Sequence, residues 1–197
     1  MKELVFLLEE LSAKAMLESL LPRMLHPDIS PRFIPFEGKQ DLERQMFKRL
    51  RGYVNPQARF IVLRDQDSAP NCVALKAQLF ERCRQAGRHD QTLVRIACTE
   101  LETYYLADLS AVKQALRLNN LTRLQGSAKF RSPDRLGNPS TELETLTKGA
   151  YQKVSGSREI GKYLDASNER SPSFKNLVKG IRRMETELLS LPGEQGA

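Results

Sequence analysis

The chain has 197 residues, 40% of them hydrophobic and 7% aromatic, with no tryptophan, a net charge of +7 and a sequence pI near 9.4. That is enough apolar material for one core of ordinary domain size, and it argues against wholesale disorder. No apolar run approaches the ~20 residues needed to cross a bilayer, and the acidic flank of the opening MKELVFLLEELSAK argues against a secretory signal. The expectation is a cytoplasmic protein with no membrane partner, whose basic balance permits contact with polyanions.

ELVFLL (3–8) is a continuous apolar run, as expected of a strand covered on both faces in a parallel sheet. Ser12 is placed to cap a following helix whose inner face carries Ala15, Met16, Leu20 and Leu21. RFIPF (32–36) reads as a second strand, and EGK leads into a helix with Leu42, Met46, Phe47 and Leu50 on one face. ARFIVL (58–63) is a third strand, followed by a helix over about 71–86 that Gly87 ends. TLVRIA (92–97) is a fourth. Strands alternating with helices of this length predict an α/β fold with a parallel four-stranded core sheet flanked by helices.

ADLSAVKQAL predicts a further helix, and the Asn-, Ser-, Gly- and Pro-rich stretch after it reads as a long surface loop. Helices are expected over 141–153, 157–165 and 173–190, with LPGEQGA as a tail. The division is an α/β core over 1–120 and, over 121–197, a basic loop and helical C-terminal extension packed on it. Phe174, Leu177, Val178, Ile181, Leu188 and Leu189 give the last helix an apolar stripe, expected to be core rather than a partner face.

Cys72, Cys83 and Cys98 lack CxxC spacing, and His26 and His89 stand far apart, so zinc ribbons, disulfide frameworks and histidine-based triads have little to draw on. The chemistry gathers instead at the strand ends. The four strands are followed by Glu9–Glu10, Glu37–Gly38–Lys39, Asp65–Gln66–Asp67 and Thr99–Glu100–Leu101–Glu102. Parallel α/β sheets collect functional groups at the carboxyl ends of their strands. Asp65 and Asp67, two residues apart, share a direction if the extended geometry persists. Carboxylates brought together there repel unless a cation stands between them. Arg64 is one candidate; a divalent metal with oxygen ligands is the other.

This order of acids resembles the Toprim domain of topoisomerases, primases and overcoming-lysogenization-defect (OLD) type nucleases. That domain has a glutamate after its first strand, an Asp-x-Asp after its third and a parallel four-stranded, Rossmann-like core. Glu9 and Asp65-Gln66-Asp67 match those positions, and Glu100-Leu101-Glu102-Thr103-Tyr104 is similar to the acidic segment after the next strand of the OLD branch. Glu9-Glu10-Leu11-Ser12-Ala13 keeps the serine of that branch's first motif but lacks its glycine and second glutamate. Through FLLEELSAK, IPFEGKQDL, FIVLRDQDS, CTELETYYLAD and RSPSFKNLVKGI, the whole chain resembles a bacterial Toprim-like family of unassigned function, domain of unknown function 4276. That family is related to the second component of the AbiL abortive-infection system.

The resemblance implies a Mg2+- or Mn2+-dependent nuclease centre for DNA or RNA, serving phage defence beside an ATPase partner. Glu9, Asp65 and Asp67 would hold one cation, and Glu102 or Glu100 would help with a second. Glu9 would alternatively handle a proton, Lys39 would serve the catalytic centre by contacting phosphate, and Lys153 and Lys175 would contact nucleic acid. Tyr104 and Tyr105 are expected to pack rather than stack on bases. Two rivals stand beside this: a receiver-like phosphoacceptor domain, against which the second aspartate, the Glu-x-Glu and the helical tail count, and a non-catalytic module that binds a partner protein or nucleic acid.

Overall fold

The computed structural model of the chain describes residues 1–192. Its centre is a four-stranded, all-parallel sheet of β1 (Lys2–Leu8), β2 (Ile29–Pro35), β3 (Ala58–Asp65) and β4 (Thr92–Ala97), in the order β2-β1-β3-β4. β1 is central, which explains its unbroken apolar run. Leu4, Phe6 and Leu8 enter one core, Val5 and Leu7 the other, and all five are fully buried. β3 alternates likewise, Ile61 and Leu63 against Phe60 and Val62.

The Val5 face is covered by α2 (Lys39–Arg51) through Leu42, Met46 and Leu50, and by α3 (Cys72–Gln85) through Leu75, Leu79 and Cys83. The Leu4 face carries the larger core. It draws on α1 (Leu11–Leu20), α4 (Glu102–Leu106), α5 (Leu109–Ala115), α6 (Pro139–Leu146), α7 (Lys153–Gly161) and α8 (Pro172–Ser190). Phe174, Leu177, Ile181 and Leu188 of α8 are buried in it, so that stripe is core. Among the described residues no helix is long and apolar enough to cross a membrane.

The expected strands are all present; β1 begins one residue early, β2 begins three residues early and stops at Pro35 rather than 36, and β3 runs on to Asp65. The other differences have local causes. α1 begins at Leu11, so Ser12 lies inside its first turn; its hydroxyl donates to Glu10 Oε2 at 3.3 Å and caps nothing. The helix expected over 141–153 stops at Leu146, because Lys148 and Gly149 take φ of 54° and 78°, and a new helix starts at Lys153. The long loop is pinned down rather than free. Leu121 and Phe130 are buried, and the Gln125 amide donates to Leu106 O and Phe130 O while its oxygen accepts from Leu109 N. α4 is a short helix the sequence pattern does not predict; its Tyr104 and Tyr105 are fully buried, as packing residues should be.

α7 lies directly against α1. A Cβ on Gly161 would meet the Met16 carbonyl oxygen at 2.6 Å and the Met16 Cα at 3.2 Å, backbone atoms that no rotamer change can move. Gly161→Ala is therefore expected to cost about 1–3 kcal/mol through overpacking. Thermal unfolding measures this; an unchanged melting temperature would contradict so close an approach.

Candidate active site

The strand order reverses between β1 and β3, since β2 lies on one side of β1 and β3 and β4 on the other. In open parallel sheets, the crevice outside the carboxyl ends at such a reversal is where ligands bind. Glu9 leaves β1 and Asp65 ends β3 at that point. The Asp65 backbone N–H donates to Glu9 Oε2 at 2.9 Å, tying the two strand ends together.

The other acids arrive by loops that bond to one another. Asp67 N donates to Thr99 O at 2.7 Å, and both residues have left-handed backbone, φ 50° and 61°. The extended geometry therefore stops at Asp65, and Asp67 reaches the site by a turn rather than by strand alternation. Glu102 opens α4 and is 2% exposed; its Oε1 accepts a hydrogen bond from the Tyr151 hydroxyl at 2.8 Å. Glu100 turns elsewhere: its Oε2 accepts from Ser140 N at 2.7 Å, capping the start of α6.

The electrostatics mark the same group of acids. Burial, and then the charges of Glu9 and Glu102, push the Asp65 carboxyl well above the ordinary carboxylate range, against the opposing Leu101 N–H. Asp65 is partly accessible as a residue, but its carboxyl lies deep among these neighbours. Glu9 is raised by burial and by Asp67, against the Asp65 N–H. Glu102 is raised by burial despite the Tyr151 hydroxyl.

Two lysines pair with acids at this edge, and the charge of Arg64 offsets part of the rise at Glu9. Lys39 Nζ lies 3.1 Å from Asp67 Oδ2, and Lys153 Nζ lies 2.5 Å from Glu10 Oε2. Burial pulls the Lys153 ammonium down, but Glu10, Glu102 and Asp65 outweigh it and raise it overall. Arg64 does not answer the acids in this way. Its side chain pairs with Glu43 at 3.0 Å and donates to the Asp65 backbone carbonyl, because strand alternation puts Arg64 and Asp65 on opposite faces. Lys175 pairs with Glu169 at 2.5 Å, at the start of α8.

The structure thus brings Glu9, Asp65, Asp67 and Glu102 together, with Lys39 and Lys153 beside them, and leaves Glu100 and Lys175 in other bonds. Tyr151 carries no signal in the sequence, where it falls within the helix expected over 141–153. Its ring sits against Gly156, where a Cβ would approach it to 2.6 Å, and its hydroxyl also contacts Ser157 Oγ at 3.2 Å. Tyr151→Phe leaves the buried Glu102 without that donor and is expected to cost about 1–3 kcal/mol. Denaturant unfolding checks this; a loss near zero would mean that Glu102 has another partner.

Carboxylate oxygens are the donor chemistry a hard divalent cation prefers. Among the described residues, however, no three Asp, Glu, His or Cys side chains are grouped to hold an ion as they stand. Asp67 is turned to Lys39 and Glu10 to Lys153, so ammonium groups meet the charge that a cation would otherwise meet.

A parallel sheet with clustered acids at its switch point defines a Rossmann-like α/β protein with a candidate polar centre at the carboxyl edge. The chain matches the family model described as domain of unknown function DUF4276 over residues 8–182, and it belongs to that family. Among solved structures it is similar to the C-terminal region of the Burkholderia pseudomallei OLD protein, with a TM-score of 0.55 and 15% identity over 92% of this chain and 98% of that one. At that identity the likeness is one of fold. Among curated proteins none matches the chain.

Proposed function

We propose that the protein is a Toprim-type, Mg2+- or Mn2+-dependent nuclease. The observation that carries this reading is the convergence of Glu9, Asp65 and Glu102, from three separate strand ends, on the crevice where the strand order reverses. Carboxylates whose pKa is raised by burial are costly to keep unless they serve a site. A divalent ion held by Glu9, Asp65 and Asp67 supplies charge stabilisation at a phosphodiester and makes bound water acidic.

The chain's own residues do the rest. Glu9 Oε2 is occupied by the Asp65 N–H; in the alternative in which the ion rests on Asp65 and Asp67 without Glu9, Glu9 Oε1 would hold or pass a proton, a task its raised pKa suits. Tyr151 fixes Glu102 behind the site. Lys39 and Lys153, released from Asp67 and Glu10, present ammonium groups to phosphate oxygens. The resemblance drawn from the sequence motifs, beside the fold likeness to the C-terminal region of the OLD protein, is what supports a place in phage defence, in the cytoplasm, with an ATPase partner.

A cleavage assay on single-stranded and duplex DNA and RNA, with Mg2+, Mn2+ or a chelator, tests the reading. It should be run with and without the product of the adjacent gene. Product in the metal arms alone is expected; no cleavage in any arm would overturn it. The second reading is a non-catalytic module on the same fold. The lysine-paired acids favour it, and under it calorimetry would detect no Mg2+ or Mn2+ binding.

A further inference from the structure

Between α5 and α6 the chain runs for 23 residues, 116–138, with only two short 3-10 turns, Thr122–Leu124 and Pro133–Arg135. Connections that long in a compact domain are usually either functional or disordered. This one is ordered from within, by the buried Leu121 and Phe130 and by the three bonds of the Gln125 amide. Its outward side chains are of another kind. Residues 117–135 carry five basic residues against one acid, a net +4 of the chain's +7.

The acid and one of the cations are already engaged. Asp134 accepts from Ser173 N at 2.8 Å, and Lys129 pairs with Glu142 at 2.6 Å. The other four, Arg117, Arg123, Arg131 and Arg135, are exposed, and among the described residues no acid, carbonyl or ring takes their guanidinium groups. Exposed arginines on the helices do find acids, Arg44 with Asp41, Arg84 with Glu81 and Arg158 with Glu18. Like charges gathered without counter-charge repel one another, so this segment favours a polyanion that answers them.

The segment is also fixed beside the acids. Gln125 anchors it to Leu106 and Leu109, where α4 ends and α5 begins, and the turn at Pro133–Arg135 packs on α4. Leu136 O then accepts from Thr99 Oγ1 at 2.9 Å, and Thr99 O holds Asp67 N. Since α4 opens at Glu102, the arginine-bearing segment runs along that helix towards Glu102 and Asp67. Lys39 and Lys153 stand on the other side of the crevice, with Asp67 and Glu10.

Resting on the phosphodiester reading above, we infer that residues 117–135 hold the sugar–phosphate backbone of the substrate on the β4 side of the acids, with Arg123, Arg131 and Arg135 as phosphate contacts. The planar fork of a guanidinium takes two phosphate oxygens at once. Contacts of this kind read no base, so binding here is independent of sequence. A strand held there runs on across Asp65 and Glu9 towards Lys39 and Lys153.

Fluorescence anisotropy with a labelled oligonucleotide of mixed sequence, single-stranded and as a duplex, tests this in chelator across a salt series. Each phosphate neutralised contributes about 0.9 to the slope of log affinity against log salt on a duplex and about 0.7 on a single strand. Arg123→Gln, Arg131→Gln and Arg135→Gln combined should flatten the slope by about 2–3 and about 2 respectively, whatever the sequence. These side chains are exposed and unpaired, so the melting temperature should be kept. Lys48→Gln, Arg49→Gln and Arg51→Gln, in the last turn of α2 at the far edge of the sheet, remove the same charge and should leave the slope nearly unchanged. No binding by the parent, an equal effect of the two triple variants, or displacement by polyglutamate as readily as by unlabelled oligonucleotide would each overturn the inference. The expected slopes in a protein that cleaves nothing with either metal keep this surface and remove the nuclease reading. Metal-dependent cleavage by the Arg123, Arg131 and Arg135 variant with the parent's KM and salt dependence does the reverse.

Discussion

Asp65→Ala combined with Asp67→Ala is expected to abolish divalent-dependent cleavage while leaving the protein folded. The loss should exceed the roughly 10–100-fold seen when only groups behind a metal ligand are removed. Folding should survive because Asp65 is held among like-charged neighbours, so deleting its carboxyl relieves repulsion with Glu9 and Glu102. Asp67 leaves behind an unpaired Lys39, but that ammonium is 43% exposed and loses little in water. Cleavage rates with Mg2+ and Mn2+, beside circular dichroism of parent and variant, provide the measurement. Cleavage at the parental rate by the double variant would remove the site assignment altogether.

The second large effect is on stability against pH. Burial above all, with nearby carboxylates adding to it, holds Asp65, Glu9 and Glu102 above their ordinary values, so the folded chain keeps protons that the unfolded chain releases above about pH 4. These groups therefore favour the fold most fully below their unfolded pKa values, and that contribution is lost as pH rises towards the folded ones. Asp65→Asn removes one titrating group. Its melting temperature should gain on the parent's progressively from about pH 4 towards neutrality. Each unit of raised pKa corresponds to about 1.4 kcal/mol, and about 2–4 °C per kcal/mol is expected for a chain of this size. Mg2+ or Mn2+ at saturating concentration should raise the parent's melting temperature at neutral pH and leave the variant's nearly unchanged. A constant difference between parent and variant across pH would mean that the Asp65 carboxyl is ordinary.

The sheet was legible because its signal is local. A strand buried on both faces must be apolar along its length, as LVFLL and FIVL are, and TLVRIA, which admits Arg95, forms an edge strand. The acids at the strand ends could be placed at one edge for the same reason, since parallel strands share a direction. What each acid touches was not legible, because its partner lies far along the chain. Glu102 meets Tyr151, Glu10 meets Lys153 and Glu100 meets Ser140. Arg64 misled in the opposite way. It adjoins Asp65 in sequence, but strand alternation carries it to the other face, and Lys39 takes the pairing with Asp67. α4 was missed because a helix of five residues, ETYYL, carries no periodic pattern long enough to read.

The larger core joins the first strand to the last helix, with Leu4 and Leu188 in one cluster and α1 held against α7. This bears on how the chain is made. A ribosome delivers β1 to β4 first, yet the cover on one face of that sheet, begun by α1, stays incomplete until α8 has emerged. At roughly 5–20 residues per second the nascent sheet waits several seconds with Leu4, Phe6 and Ile61 open to water. Chains that stop short of α8 should therefore accumulate as aggregates rather than as a small folded core, and synthesis of this protein should depend on chaperones that shelter that face until its final helix arrives.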